Sequence, residues 1–539
     1  MASPPSSELA FQTDTSLNAS SLPQDASADQ GGVVVKNEAS QSISSLLRLF
    51  EVLGCFEKHG EQYIFTDRPA PSGWESCMNA TASVRRLKLN SAAKTDASRI
   101  SPALRGEPLF PRLQSLYIED FGEIASYLSL FLSPGMRTIE LVATKPSAFA
   151  VAAAAPALRA LLSDLVEWSP GLQSFMIRRV PGVPVSLFKH VSPLSNLRIL
   201  ELSSLVGVKS FEDFRPLAPL ALESLTLQFS CSSYTQLSGA IIPIPAFLSS
   251  LEKLHIFGPL DAVADFLQSL GSGSLTSLDV EVDSEKLSTE RDGCGLPSTN
   301  SVAGKKKKKS RSTAAESNED AVISETHSDI GGLECVMLTI SSRWRDTLCE
   351  LVIVSSSDQT IDFVHMTGFR LLEKLYIAGC PVTNIPSALE SPAVAWNRLN
   401  SLHLPPVTTI PFSLLHRFAI SAPCLEELTV ALDVNEALTT VAQPVLSHPL
   451  RSLSLNNPSP PTTMDRYGGC SNIHIEGLPQ LIRVARFLNA LFPSIQKLEA
   501  SEKKNAWGMV WQLMLLCQGS SADDKCRRPN HVHDEFEVV

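Results

Sequence analysis

One phrase recurs along this chain and limits what it can fold into: apolar-x-x-apolar-x-apolar, returning at near-constant intervals. Its copies stand at Val84/Leu87/Leu89, Leu113/Leu116/Ile118, Met136/Ile139/Leu141, Leu172/Phe175/Ile177, Leu197/Leu200/Leu202, Leu222/Leu225/Leu227, Leu251/Leu254/Ile256 and Leu275/Leu278/Val280. After a break they resume at Leu348/Leu351/Ile353, Leu372/Leu375/Ile377, Leu399/Leu402/Leu404, Leu425/Leu428/Val430 and Leu450/Leu453/Leu455, with a degenerate copy at Ile495/Leu498/Ala500. In a chain that is 44% apolar such triplets also arise by chance, so the triplet alone decides nothing. Three regularities do. The starting positions 172, 197, 222, 251, 275 and 348, 372, 399, 425, 450 step by 24 to 29 residues. The first intervening residue is polar in every copy from Leu113 onward except at Cys349. Proline stands two residues before the first apolar position at Pro111, Pro134, Pro170, Pro423 and Pro493. There it ends a preceding helix and leaves the next residues extended.

A period in this range is that of leucine-rich repeats, ~20–29 residues each. The expected fold class is therefore α/β: a leucine-rich-repeat solenoid, or horseshoe, with a parallel concave sheet and irregular convex helices. Apolar residues at the fourth and sixth positions of the phrase, two apart, leave a short strand on the same side and enter the core. Their neighbours face solvent on the concave side. Helical spacing over Ile124–Leu132, Asp261–Leu270 and Gln480–Leu491 supplies the outer layer. No single unit can bury its apolar face alone, so the units must stack.

Outside the repeats the composition changes. Residues 1–42 read as a disordered tail, small and polar with Gly31-Gly32, and 43–83 as a helical cap region with Ile43, Leu46, Leu47, Phe50 and Leu53 on one face. Repeats fill 84–282 and 330–517. Between them, 283–329 is a low-complexity insert with five lysines, Lys305, Lys306, Lys307, Lys308 and Lys309, then Arg311, and with Glu316, Glu319 and Asp320 behind them. The phrase Leu333–Ile340 is expected as a strand of one further repeat. A continuous solenoid with an inserted loop is the reading favoured here, and two separate solenoids are the alternative. Residues 518–539 read as a polar tail.

Composition excludes several classes. The formal net charge is −11, which argues against broad nucleic-acid binding, because phosphate contacts need clustered Lys and Arg. The eleven cysteines are scattered, odd in number and never spaced C-x-x-C, which fits reduced thiols in an intracellular protein, cytoplasmic or nuclear. The longest apolar stretch, Ala148–Leu162, is broken by Pro156 and Arg159 and is shorter than the ~20 residues a membrane span needs. No catalytic, cofactor-binding or phosphate-binding motif stands out, so no cofactor and no enzyme activity are expected. His531 and His533 near Cys526 have zinc-ligand chemistry but sit in a polar tail, where unstructured histidines are the simpler reading, and no metal is expected.

Trp74 followed by Val84-Arg85-Arg86-Leu87-Lys88-Leu89, and the later Pro-x-Leu openings at Pro111, Pro170 and Pro423, resemble the leucine-rich-repeat region of fungal F-box proteins. The resemblance covers about residues 43–500. It implies a substrate-recognition subunit that binds a protein on its concave face and docks a Skp-type adaptor of a cullin-type ubiquitin ligase. The F-box itself is not evident, because Leu22-Pro23 is followed by Gln24-Asp25-Ala26-Ser27 without apolar periodicity. A repeat scaffold or regulator, nuclear or GTPase-linked and unconnected to ubiquitin, is the alternative.

The concave face is the expected site of a protein partner. Its outward positions include Tyr117, Glu119, Arg178, His255, Tyr376 and His403, along with Glu140, Glu201, Asp279, Glu350 and Glu427. Tyrosine and arginine are favoured interface anchors, and the mixed charge suits a protein better than a polyanion. Lys305–Lys309 with Arg311 has the composition of a nuclear-import run, and a solvated loop is the competing reading. Ser301, Ser310 and Ser312 flank it, and phosphorylation there would offset its charge.

Overall fold

A computed structural model describes residues 56–59, 62–65, 70–89, 108–119, 128, 130–143, 148–180, 182–230, 247–283, 332–357, 359–390, 396–433, 448–456, 478–500 and 504–527. Within 43–83, where helix was expected, the chain first forms an antiparallel hairpin of β1 (Phe56–His59) and β2 (Gln62–Phe65), with Phe56 opposite Phe65. Helix α1 (Pro71–Thr81) follows, with proline in its first turn, where no N–H is missed. The amphipathic face at 43–53 lies outside the described residues.

Every copy of the phrase then becomes a strand. In chain order these are β3 (Arg86–Leu89), β4 (Ser115–Glu119), β5 (Thr138–Val142) and β6 (Ser174–Arg178), then, after the two-residue β7 (Val183–Pro184), β8 (Ile199–Val206) and β9 (Ser224–Phe229). Next come β10 (Lys253–Pro259), β11 (Ser277–Asp283), β12 (Glu350–Ser355), the short β13 (Ile361–Asp362), β14 (Lys374–Ala378), the short β15 (Val382–Thr383) and β16 (Ser401–His403). The last are β17 (Thr409–Pro411), β18 (Glu427–Asp433), β19 (Ser452–Leu455) and β20 (Lys497–Ala500). All but β7, β13, β15 and β17 pair with their chain neighbours in one unbroken parallel ladder.

The register is set by the apolar pattern. The middle apolar residues form a single row: Leu87 opposite Leu116, then Ile139, Phe175, Leu200, Leu225, Leu254 and Leu278. The row continues through Leu351, Leu375, Leu402, Leu428, Leu453 and Leu498. A slip of one residue would turn this whole row out to water. The polar first-intervening position also has a backbone task. The Arg85 carbonyl accepts the N–H groups of both Gln114 (2.8 Å) and Ser115 (3.0 Å), and the Glu373 carbonyl accepts those of Asn400 and Ser401. That joint repeats from rung to rung while its side chain stays at the surface. This is a leucine-rich-repeat solenoid.

The sheet runs straight across the insert, because Leu278 of β11 pairs directly with Leu351 of β12. The insert's lysine run lies outside the described residues. Leu333–Ile340, expected as a strand, is instead part of a helix, Gly332–Arg343. The reason is visible in the burial: Leu333, Val336, Met337 and Ile340 are all buried, at helical and not alternating spacing. Of the helix expected over 124–132, Leu128, Leu130 and Phe131 form a 3-10 turn, and 124–127 lie outside the described residues. The other two expected helices are present as Leu260–Ser269 and Leu478–Leu491. Ala148–Trp168 is one helix that carries Pro156 within it. At the C-terminal end, helix Lys504–Arg527 packs on Leu478–Leu491 and on β20, and continues past Gln518, where a tail was expected.

Between helices and strands, buried donors staple each unit to the one before. Ser133 Oγ donates to the Leu113 carbonyl (2.6 Å), Ser169 Oγ to that of Ser133 (2.8 Å) and Ser272 Oγ to that of Leu251 (2.9 Å). The indole N–H of Trp344 donates to the Ser272 carbonyl (2.7 Å), and that of Trp396 to the Met366 carbonyl (3.2 Å). His448 Nε2 meets the Ala422 carbonyl at 2.9 Å. Three of these carbonyls, those of Ser133, Met366 and Ala422, also accept a turn N–H, from Met136, Phe369 and Leu425. Just past the ends of β6 and β14 the chain turns sharply, and Arg179 and Gly379 take positive φ there, while Ser204 does so within β8 where its pairing with β9 shifts register between Leu202 and Leu205. At Gly379, φ is +79° and a Cβ would stand 2.1 Å from the Ser355 carbonyl oxygen, so only glycine fits.

Candidate functional site: the open face of the sheet

Among the described residues helices pack on one side of the ladder, and the other side is left open. Three rows of side chains point from it: the residue just before the middle apolar position, the residue between the last two apolar positions and the residue just after them. Four groupings form among these side chains. On β4, Tyr117 Oη donates to Glu119 Oε1 at 3.1 Å, and Lys88 of β3 reaches the same oxygen at 3.1 Å with its ammonium 4.7 Å from the Tyr117 ring centroid. Glu119 holds the Lys88 ammonium charged to higher pH than usual. Burial, then the bond to Glu119, pushes the Tyr117 phenol up.

Arg178 of β6 lies between two carboxylates. Its Nε and Nη2 bond Glu201 at 2.7 and 2.8 Å, and its Nη1 bonds Glu140 at 2.8 Å. The two-point contact with Glu201 fixes the guanidinium plane, and that hydrogen bond is the main cause holding Arg178 protonated above its ordinary range. His255 Nδ1 faces Asp279 Oδ2 at 3.7 Å. Burial raises the Asp279 carboxyl above the usual carboxylate range, against the pull of His255. On the far side of the insert Tyr376 and His403 stack with centroids 4.2 Å apart and planes 21° apart. Burial lowers His403 below the ordinary histidine range, so its ring is neutral at pH 7.

A groove of about 560 Å3 opens at the exit ends of β6 to β11. Arg178, Glu201, Thr226, Gln228, His255, Phe257 and Glu281 line it. Arg178 and His255 were expected on this face. Phe257, Glu281, Thr226 and Gln228 were not, although Phe257 and Glu281 each sit two positions after an outward residue already identified, His255 and Asp279. Tyr117 and Glu119 do not join this groove, and Tyr376 lies eight rungs from Tyr117, on the order of 40 Å away at ~4.8 Å per rung. Glu350 bonds Ser277 (3.2 Å) and approaches Lys374 (3.9 Å), and Glu427 bonds Ser401 (3.3 Å).

The thiols do not suggest nucleophilic chemistry. Burial pushes Cys77 up to about 11 and Cys380 up to about 12, so neither forms a thiolate at neutral pH. Among the described residues no three His, Cys, Asp or Glu side chains gather to hold a metal ion. Cys526 falls in the last helix, and His531 and His533 lie outside the described residues. No helix among the described residues is long and apolar enough to cross a membrane.

No protein-family model and no curated protein matches the chain. Among solved structures it is similar to an internalin from Listeria monocytogenes, at 13% identity and TM-score 0.36, covering 75% of this chain and 88% of that one. It is also similar to a leucine-rich-repeat protein of Leptospira interrogans, at 11% identity and TM-score 0.34, covering 85% and 99%. A third likeness is to the leucine-rich-repeat ectodomain of a plant membrane receptor kinase from Arabidopsis thaliana, at 11% identity and TM-score 0.29, covering 72% of this chain and 42% of that one.

Proposed function

We propose that this chain is a non-catalytic binding protein that holds another protein against the open face of its sheet. One observation carries the reading: a long parallel ladder leaves one face uncovered, and on it fixed charged and aromatic groups surround a groove of about 560 Å3. Pre-set side chains such as Arg178 and the Tyr376–His403 stack lose little rotamer freedom when a partner arrives, which favours binding. A photo-crosslinking residue at Thr226 tests this, with one at Ile420 on the helix side as control. A partner trapped from position 226 and not from 420 supports the reading, and the reverse rejects it.

The finer reading is that the protein presents its partner to a Skp-type adaptor and a cullin-type ubiquitin ligase. Its support is the entry phrase, in which Trp74 packs against the core just before Val84, Leu87 and Leu89 open the ladder. Co-purification with a Skp-type adaptor is the expected result. Its absence, with the partner still bound, leaves a scaffold or regulator unconnected to ubiquitin.

A further inference from the structure

We propose that the segment held on this face is an extended peptide with an arginine or lysine and, three or four residues away, an aromatic or large aliphatic side chain. This rests on the open face being the protein-binding surface and names the chemistry it selects.

The cation position comes from how the charges are already paired. Arg178 satisfies Glu140 and Glu201 together, so that trio is saturated, with one negative charge in excess. Among the described residues Asp279 has only His255 as a cationic partner, at 3.7 Å. Glu281, two residues along β11 and on the same face, has no cation within salt-bridge reach among the described residues. Both carboxylates therefore lack a full positive partner at the edge of the groove, and Phe257 on the adjacent strand offers a ring to cover an aliphatic stem. A phosphate-bearing partner would meet like charge here.

The apolar position lies just beyond. Val352 and Val354 of β12 stand directly opposite Asp279 and Glu281, and Val352 in turn stands opposite Tyr376 of β14. Tyr376 is 39% exposed although it is stacked on His403, so a large ring edge meets water beside two valines. An incoming apolar side chain removes that edge from water.

The ladder converts these positions into a spacing. From β11 to β14 is two rungs and to β16 three, or ~10 to ~14 Å at ~4.8 Å each. An extended peptide advances ~3.3 Å per residue, which places the two anchors three or four residues apart. A helical segment at ~1.5 Å per residue would need seven to nine. Around the chain's own Lys305–Lys309 run, residues 301–313 hold no aromatic, leucine, isoleucine or methionine, and the small Val302 is the one branched aliphatic, which leaves the second anchor poorly supplied.

Selection of random dodecapeptides displayed on phage against the full chain tests the proposal, with fluorescence anisotropy on the best peptide. Enriched sequences are expected to carry the cation and the apolar residue three or four positions apart. Glu281→Gln and Asp279→Asn together should weaken the best peptide about tenfold, Tyr376→Ser should remove the preference for an aromatic residue, and added salt should weaken binding. Each variant should keep the parent's circular dichroism spectrum, since these side chains are exposed or half-buried. Enriched acidic peptides, a seven-residue spacing, or no peptide weakened by the carboxylate substitutions would overturn the proposal. If peptides lack the motif yet lose binding on Tyr376→Ser, this proposal fails while the open face stands as the binding surface. If no open-face substitution affects any peptide, both fail. A basic peptide that binds only after Lys305–Lys309 are replaced by serine identifies the chain's own run as the occupant and overturns the choice of an outside partner.

Discussion

From β4 to β11 the two open-face rows that follow the middle apolar position include Glu119, Glu140, Arg178, Glu201, His255, Asp279 and Glu281. From β12 to β19 the same rows carry Val352, Val354, Tyr376, Ala378, His403, Thr429 and Ser454, and no formally charged residue. Backbone, register and core row do not change between the two halves. What differs is the set of side chains that do no folding work. The buried row must stay apolar for the rungs to stack, whereas the open rows are half-exposed and their identity is nearly free of cost to stability. Core and face are therefore independent channels in one sequence, the first specifying architecture and the second specifying what the architecture touches.

The strongest test of this comparison breaks the seam between the halves. Trp344 is fully buried, and its indole N–H is bonded to the carbonyl of Ser272 across the insert. Trp344→Ala should cost about 3–5 kcal/mol and split urea unfolding into two transitions, read by circular dichroism and hydrogen exchange. One unsplit transition of parental midpoint would show that the seam is not the weak joint. Next, Gly379→Ala places a Cβ against the Ser355 carbonyl at a positive φ and should cost about 2 kcal/mol or more, localised by exchange to β12 and β14.

A third test uses pH and acts through a buried histidine of the second half. The Leu450 N–H donates to His448 Nδ1 at 3.2 Å, so Nε2 carries the proton donated to Ala422. A second proton would have to displace Leu450, and burial holds His448 below the ordinary histidine pKa of ~6.5. The unfolded chain therefore binds more protons just below that value, so this contribution is fully present above about pH 6.5 and is lost as pH falls. The melting temperature should drop between about pH 7 and about pH 5, and less so in His448→Gln, with His403→Asn separating the same-signed contribution of His403. The smallest effect sharpens the contrast most. Arg178→Gln and Tyr376→Ser should each change stability by less than about 1 kcal/mol, while altering partner binding on their own halves.

The ladder was legible from the sequence because its signal is redundant: aliphatic spacing, polar interruption and upstream proline all agree, and each copy of the phrase forms its strand. Leu333–Ile340 was misread because its leucine, valine, methionine and isoleucine suit either period, and only the neighbouring helix and β12 decide between them. The staples escaped notice for another reason. Their donors are Ser133, Ser169, Ser272, Trp344, Trp396 and His448, one task performed by three residue types at shifting offsets from the strand. On the face, Arg178 and His255 were readable, but their partners required register. Glu201 becomes the neighbour of Arg178 only once β6 and β8 are aligned. Phe257 and Glu281 were missed because the triplet does not tell how far its strand extends: β10 and β11 each run three residues past Ile256 and Val280.

The direct pairing of β11 with β12 has a practical corollary. Whatever the chain carries between Asp283 and Gly332 is tethered at both ends beside the acidic end of the face, so its local concentration there is set by linker length and not by expression level. Reporter modules or alternative ligands spliced into that stretch could be swapped freely, turning one scaffold into a series of self-presenting sensors.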